Sequence, residues 1–377
     1  MNPLEQLLQC GQSIWLDSIS RDLINSGELQ RLVTDDKLRG LTSNPTIFEQ
    51  AMTRGHSYDD ALRQLLRADD KQSDKALFEA LAVEDIRMAA DVLRPVYDEA
   101  DGGDGYVSFE VSPHLAHDTA GSIAEARRLW QAVKRPNLMI KIPATSEGIP
   151  AIEQLISDGV NVNVTLMFSL RHYEAVAHAY MAGLSRQSAA APRGLNVWPV
   201  SVASFFVSRV DVLIDPLLEK IGTPEALALR GKIAIANAKL AYQRFRDIFY
   251  GEPFAALRAK GARVQRPLWG STGTKNPAYS DVLYVEELIG PDTVNTVPPK
   301  TLAAFREHGR VRETLLENIA QAKTDIAQLE NLGIDLEAVT EKLQNDGAAA
   351  FAASYDKLLA ELKNKRHDIL ATCNHPA

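Results

Sequence analysis

The sequence predicts a closed (β/α)8 barrel of the α/β class with a helical C-terminal extension. Short β-rich runs alternate with longer stretches of helical spacing. That alternation implies parallel strands, because parallel neighbours need a long return connection. Eight such runs occur, the number that closes a parallel barrel, although periodicity by itself also fits an open doubly wound sheet. Beyond Lys300 the β-rich runs stop and the pattern is almost purely helical.

In chain order the expected strands are Ser13–Ser18, Arg39–Thr42, Gly105–Val111, Asn137–Pro143, Val160–Met167, Leu195–Val202, Val264–Trp269 and Thr293–Val297. Helical spacing fills the intervals. In Ala76–Glu99 it is carried by Leu77, Leu81, Ile86, Ala89 and Val92; Ile123–Ala132 is a second helix. Ser208–Gln243 is a third, with Leu213, Leu217 and Ile221 on one stripe. Gln187–Gly194, small and Pro/Gly-bearing, is a surface loop. The extension divides into Thr301–Leu332, Asp335–Asn345 and Ala348–Ala371, forming a bundle beside the barrel or sending the last helix across its mouth. The stripe Phe351, Tyr355, Leu358, Leu359 and Leu362 suits a helix packed on the barrel. With no internal repeat, residues 1–377 are expected to form a single barrel domain, with 301–377 as its packed extension.

Composition narrows the function. A 377-residue chain with 45% hydrophobic and 24% charged residues is globular rather than disordered. Its net charge of −8 gives no attraction for phosphodiester backbones, so nucleic acid is not an expected partner. Cys10 and Cys373, the two cysteines, exclude a disulfide framework and a Cys-x-x-Cys metal site. No run of about 18 apolar residues exists to span a membrane. The N-terminal stretch lacks a basic start and carries Glu5, unlike a signal peptide, so a cytoplasmic location is expected. Metalloprotease, P-loop and nucleophile-elbow motifs are missing. His114, His117 and Asp118 follow a strand without a third cluster and are read as loop residues. Neither a metal nor a cofactor is expected; monomer and homodimer are both left open.

The fourth expected strand carries the most informative residue. Alternation puts Leu138, Ile140 and Ile142 toward helices and Met139, Lys141 and Pro143 toward the barrel interior. An ammonium among apolar neighbours is costly unless paired or deprotonated, and the neutral amine is what Schiff-base chemistry on a carbonyl needs. A structural salt bridge is the competing reading. The next strand aligns Asn161, Asn163 and Thr165 on one face, which is expensive unless they bond a site or one another. Asp17 ends the first strand, Thr42-Ser-Asn-Pro45 the second, and Glu110 the third. Polar residues at strand ends converge on one mouth of a barrel.

These segments resemble the transaldolase family: Trp15-Leu-Asp-Ser18, Leu41-Thr-Ser-Asn-Pro-Thr-Ile47, Phe109-Glu-Val-Ser-Pro113, Met139-Ile-Lys-Ile-Pro-Ala-Thr145 and Asn161-Val-Asn-Val-Thr-Leu-Met-Phe-Ser169. The resemblance continues through Pro199-Val-Ser-Val-Ala-Ser-Phe-Phe-Val-Ser-Arg-Val-Asp211 and covers residues from about 13 to 300, with a tail like the longer bacterial branch. It implies a barrel of the class I aldolase type and transfer of a dihydroxyacetone unit from sedoheptulose 7-phosphate to glyceraldehyde 3-phosphate, within the non-oxidative pentose phosphate pathway. Lys141 would form the Schiff base and Asp17 would move the C4 hydroxyl proton. Glu110 and Thr165 would hold a water for imine formation and hydrolysis, while Asn44 and Asn163 bond donor hydroxyls. Ser204 and Arg209 would grip the phosphate. Where many members have Ser-Phe-Arg-Asn, this chain reads Ser271-Thr-Gly-Thr-Lys-Asn276, and Lys275 aligns with the second phosphate-binding arginine.

Plainer roles compete at two positions: a helix N-cap for Asp17 and a turn residue before Pro45 for Asn44. Two other activities compete with the transferase. Fructose-6-phosphate aldolase, a shorter relative, typically has glutamine where Glu110 stands and tyrosine where Phe206 stands. A sugar-phosphate-binding barrel without activity would not require every catalytic position to be filled, as it is here.

Overall fold

A computed structural model describes residues 2–190 and 198–373. Its strands are β1 (Gln12–Asp17), β2 (Gly40–Thr42), β3 (Tyr106–Glu110), β4 (Leu138–Pro143), β5 (Val162–Met167), β6 (Ser201–Phe206), β7 (Arg266–Gly270) and β8 (Thr293–Val297). They pair in parallel in sequence order, and β8 closes on β1 through Gln12↔Thr293 to Leu16↔Val297. Closure settles the choice between barrel and open sheet.

Side-chain alternation along β4 is the one expected. Leu138, Ile140 and Ile142 join the large cluster between barrel and helices, whereas Met139 joins Trp15, Tyr106, Val202, Leu268 and Val294 inside the barrel. Trp15 is fully buried there because Gly40 faces it on β2; a Cβ at Gly40 would stand 2.4 Å from the indole ring. Lys141, two residues past Met139 on the same face, lies one layer nearer the mouth.

The strand displaced from expectation is β6. It runs Ser201–Phe206 rather than Leu195–Val202, of which residues 195–197 lie outside the described residues. Pro199 interrupts the β-branched run, and the true strand is masked by two hydroxyls. Both are satisfied on the adjacent strand β5: Ser201 Oγ donates to the Val162 carbonyl at 2.7 Å and Ser204 Oγ to Asn163 Oδ1 at 2.6 Å.

Helices differ more. The expected loop Gln187–Gly194 begins as helix, since Leu170–Ala190 continues through Gln187; residues 191–194 lie outside the described residues. The long stripe Ser208–Gln243 is three helices, Ser208–Ile221, Pro224–Leu227 and Ile233–Phe249. Gly222, at φ +73°, ends the first, and Thr223 with Pro224 starts the next. Thr301–Leu332 splits into Pro299–His308 and Ile319–Asn331. An unpredicted helix, Pro3–Gln9, buries Leu4 and Leu7. His114 and His117 meet separate acids, Asp356 at 2.7 Å and Glu147 at 3.1 Å, while Asp118 caps the helix Thr119–Val133.

The last two expected helices are one, Leu336–Cys373. It passes over the C-terminal ends of the strands, burying Phe351, Tyr355, Leu358 and Leu362. Gly347 does not break it but permits the closest approach, since a Cβ there would stand 2.8 Å from Leu166 Cδ2. At Leu166, with φ +57°, the β5–β6 register shifts. The Leu166 carbonyl then accepts a hydrogen bond from Gln344 Nε2 at 2.9 Å, as does the Ala144 carbonyl at the same distance. Gln344→Leu would leave both buried carbonyls without this donor. It should lower stability by about 1–3 kcal/mol, measured as a shift of the urea midpoint at unchanged slope.

Candidate active site

A cavity of about 630 Å³ opens at the C-terminal ends of the strands, the end where barrels of this class place their chemistry. Asp17, Asn44, Lys141, Ser204, Phe206, Arg209 and Lys275 line it. Glu110, Asn163 and Thr165 stand behind that wall. The β3–β4–β5 register sets Glu110, Lys141 and Asn163 in one row, with Thr165 beside Pro143.

Lys141 is only 4% exposed. Its Nζ donates to the Ser43 carbonyl at 3.0 Å and lies 3.5 Å from Glu110 Oε2, a charge contact too long for a strong hydrogen bond. Glu110 Oε2 and Thr165 Oγ1 are both buried without a hydrogen-bond partner among the described residues. Burial pushes the Glu110 carboxyl above its ordinary range, against the pull of Lys141. Asp17 shows the same balance. Desolvation raises it, opposed by Lys141, by the hydrogen bond from Thr42 Oγ1 at 2.7 Å, and by Arg209 and Lys275. Thr42 is in turn 2.7 Å from Thr296 Oγ1. Asp17 is no helix cap: Ser20 caps Arg21–Asn25. Asn44 does cap a helix, its Oδ1 accepting from the Ile47 N–H at 2.9 Å, while its amide nitrogen has no partner among the described residues. The turn role and the cavity position therefore coexist.

Ser204, which the resemblance pairs with Arg209 at the phosphate, lines the cavity with it. Its hydroxyl donates to Asn163 Oδ1 at 2.6 Å, and Asn163 Nδ2 donates to Ser108 Oγ at 2.9 Å. Ser204 therefore also belongs to the network behind Lys141.

Arg209 sits in the first turn of Ser208–Ile221, its Cζ 5.6 Å from the Phe206 ring centroid. It makes no hydrogen bond or ion pair with a described residue, and burial holds its pKa below the ordinary value despite Asp17. Lys275 is exposed at the rim. Two aspartates of the same helix hold the Lys275 segment in place: Tyr284 Oη donates to Asp211 at 2.9 Å and Tyr279 Oη to Asp215 at 2.7 Å. Burial drives Asp211 up to about 7. Sequence reasoning missed Thr42, Thr296, Ser271 and Phe351 as cavity residues. Thr42 and Ser271 stood inside quoted motifs. Phe351 carried only a helical-packing signal.

An amine and two carboxylates, brought together where water is scarce, suit nucleophilic attack on a carbonyl coupled to proton transfer. The same burial has a stability signature. Asp17 holds its proton to higher pH in the folded chain than in the unfolded one, so stability falls as pH rises from the ordinary carboxyl value of 3.8 through the folded-state value. Asp17→Asn should therefore be more stable than the parent at about pH 7, by a margin that shrinks toward about pH 4. Thermal melts across that range read the margin. A constant or inverted margin would mean that attraction to Lys141 and Arg209 outweighs burial.

The sequence profile of the family described as Transaldolase/Fructose-6-phosphate aldolase matches residues 14–362. Transaldolase from Thiobacillus denitrificans is 47% identical over 363 residues, covering 96% of this chain and 100% of that protein. Transaldolase 1 from Streptomyces coelicolor is 49% identical over 359 residues, 95% of this chain and 93% of that protein. Transaldolase from Thermobifida fusca is 49% identical over 359 residues, 95% and 96% of the two chains. On identity and coverage of this extent, the chain belongs to the transaldolase/fructose-6-phosphate aldolase family.

Proposed function

We propose that this chain is a transaldolase. It takes a dihydroxyacetone unit from sedoheptulose 7-phosphate and delivers it to glyceraldehyde 3-phosphate, giving erythrose 4-phosphate and fructose 6-phosphate. The observation that carries the reading is Lys141, buried at the cavity floor between Glu110 and Asp17. Its amine adds to the ketose C2 carbonyl, and loss of water gives the iminium. Asp17 takes the proton of the C4 hydroxyl as the C3–C4 bond breaks, with the electron pair flowing into the iminium. The aldose phosphate leaves, and the remaining three-carbon enamine adds to the acceptor aldehyde while Asp17 returns the proton. Hydrolysis of the new iminium frees the product.

Glu110 and Thr165 serve the water of the imine steps, consistent with their unpaired buried oxygens. Asn44 and Asn163 bond donor hydroxyls, and Ser204 keeps Asn163 oriented. Ser204, Arg209 and Lys275 take the phosphate. The 301–377 extension works with the barrel as one unit, the substrates are sugar phosphates, and the pathway places the enzyme in the cytoplasm. Glu110 and Phe206, at the positions that separate the two activities of the family, support transfer over release of free dihydroxyacetone.

Borohydride added with fructose 6-phosphate should leave a reduced three-carbon adduct on the peptide containing Lys141. A label on another lysine, or none, would remove the central claim. Asp17→Asn should still form the imine on Lys141, so borohydride should trap the uncleaved six-carbon adduct in place of the three-carbon one, while turnover falls by about 10²–10⁴-fold. Phe206→Tyr places a hydroxyl on a ring that lines the cavity and should raise the ratio of free dihydroxyacetone to transferred product. An unchanged ratio in product analysis would show that the Phe206 position does not govern transfer.

A further inference from the structure

Arg209, half-buried at the cavity wall, is held in an unusual way for an arginine. Arg21, by contrast, has its charge occupied: Asp85 accepts from its Nε at 3.0 Å and its Nη2 at 2.9 Å, and Glu84 accepts from Nη2 at 2.6 Å. Arg209 feels the charge of Asp17 but makes no hydrogen bond or ion pair with a described acid; aromatic rings flank it, Phe206 at 5.6 Å and Phe351 at 6.0 Å from Cζ to ring centroid. Ring faces attract a cation without consuming its N–H donors. The donors and the net charge therefore remain for an anion.

Phe351 comes from the helix Leu336–Cys373, and its placement is fixed by neighbours on one face. Gln344 anchors the helix to the Ala144 and Leu166 carbonyls. Gly347, one turn on, admits Leu166 and comes near Arg209, whose Nη1 would be 3.8 Å from a Cβ at that position. Phe351 follows at the next i+4 step and lines the cavity, 3% exposed.

We propose that Phe351 is a positioning residue for phosphate recognition: its ring, with that of Phe206, holds the Arg209 guanidinium ready for the substrate phosphate, so the helix after the barrel helps set the preference for phosphorylated substrates. This rests on the reading of Arg209 as a phosphate ligand.

The test compares glyceraldehyde 3-phosphate with glyceraldehyde as acceptors, and inorganic phosphate as an inhibitor. Phe351→Leu keeps apolar bulk but removes the ring. It should lower kcat/KM for the phosphorylated acceptor by about 3–30-fold, through KM, and weaken inhibition by phosphate to match. Transfer to glyceraldehyde should change little, and Phe351→Tyr should restore the parent values. Stepwise fluorination of the Phe351 ring preserves its shape while draining its face of negative charge, so phosphate inhibition should weaken step by step even if the leucine variant folds poorly. Flat dependence on fluorination, or equal losses for both acceptors, overturns the proposal. Arg209→Ala separates the two layers of the argument. If it leaves the acceptor preference intact, the phosphate role of Arg209 falls and this inference with it. If it abolishes the preference while Phe351→Leu does not, only the inference falls.

Discussion

Keeping an amine and two carboxylates dry in the same small space is the constraint on which this structure depends. Each charge would be costly alone in an apolar barrel. Lys141 is matched by Glu110 at 3.5 Å and by a backbone carbonyl, while Asp17 leans on the Thr42 hydroxyl. Desolvation raises both carboxyls despite those partners. Burial is thus opposed, not cancelled, and proton-transfer chemistry benefits from that state. A closed barrel meets the constraint because its strands present side chains from many directions without leaving an open sheet edge.

The surrounding framework is arranged around that floor. Ser108, Asn163 and Ser204 form a hydrogen-bonded chain across β3, β5 and β6, so the polar residues behind Lys141 restrain one another. The irregularity at Leu166 redirects a carbonyl toward Gln344 and gives the terminal helix a fixed docking point. Asp211 and Asp215 tie the segment bearing Lys275 to the helix bearing Arg209. Each tether joins elements far apart in sequence, as a site assembled from several strand ends requires.

What the sequence revealed follows from which signals are local. The alternation through β4 and β5 was legible because a one-residue slip would exchange the faces of Lys141 and Ile140. The position of β6 was not, because Ser201 and Ser204 look polar until their acceptors on β5 are known. The boundary expected between Asn345 and Ala348 does not exist, and the role of Gly347 there is the approach of Leu166, a contact 181 residues away in sequence. Ser204 and Arg209 both line the cavity, but the hydrogen bond from Ser204 to Asn163 on β5 has no signal in the segment that carries them. Motifs identified the cavity wall well, and hydrogen-bond partners contributed from other strands remained hidden.

The position of the terminal helix has a consequence for the order in which the enzyme is made. Protein chains are synthesised from the N-terminus, and barrel closure already waits for β8, residues 293–297, to pair with β1. Gln344 and Phe351 emerge later still. A nascent chain whose eight strands have all been made contains Lys141, Asp17 and Glu110 but not yet the Phe351 ring that faces Arg209. Its mouth is then open to water, and the carbonyls of Ala144 and Leu166 lack their glutamine donor. Completion of the cavity is deferred until after the barrel sequence has been made, because Phe351 lines it from the last helix.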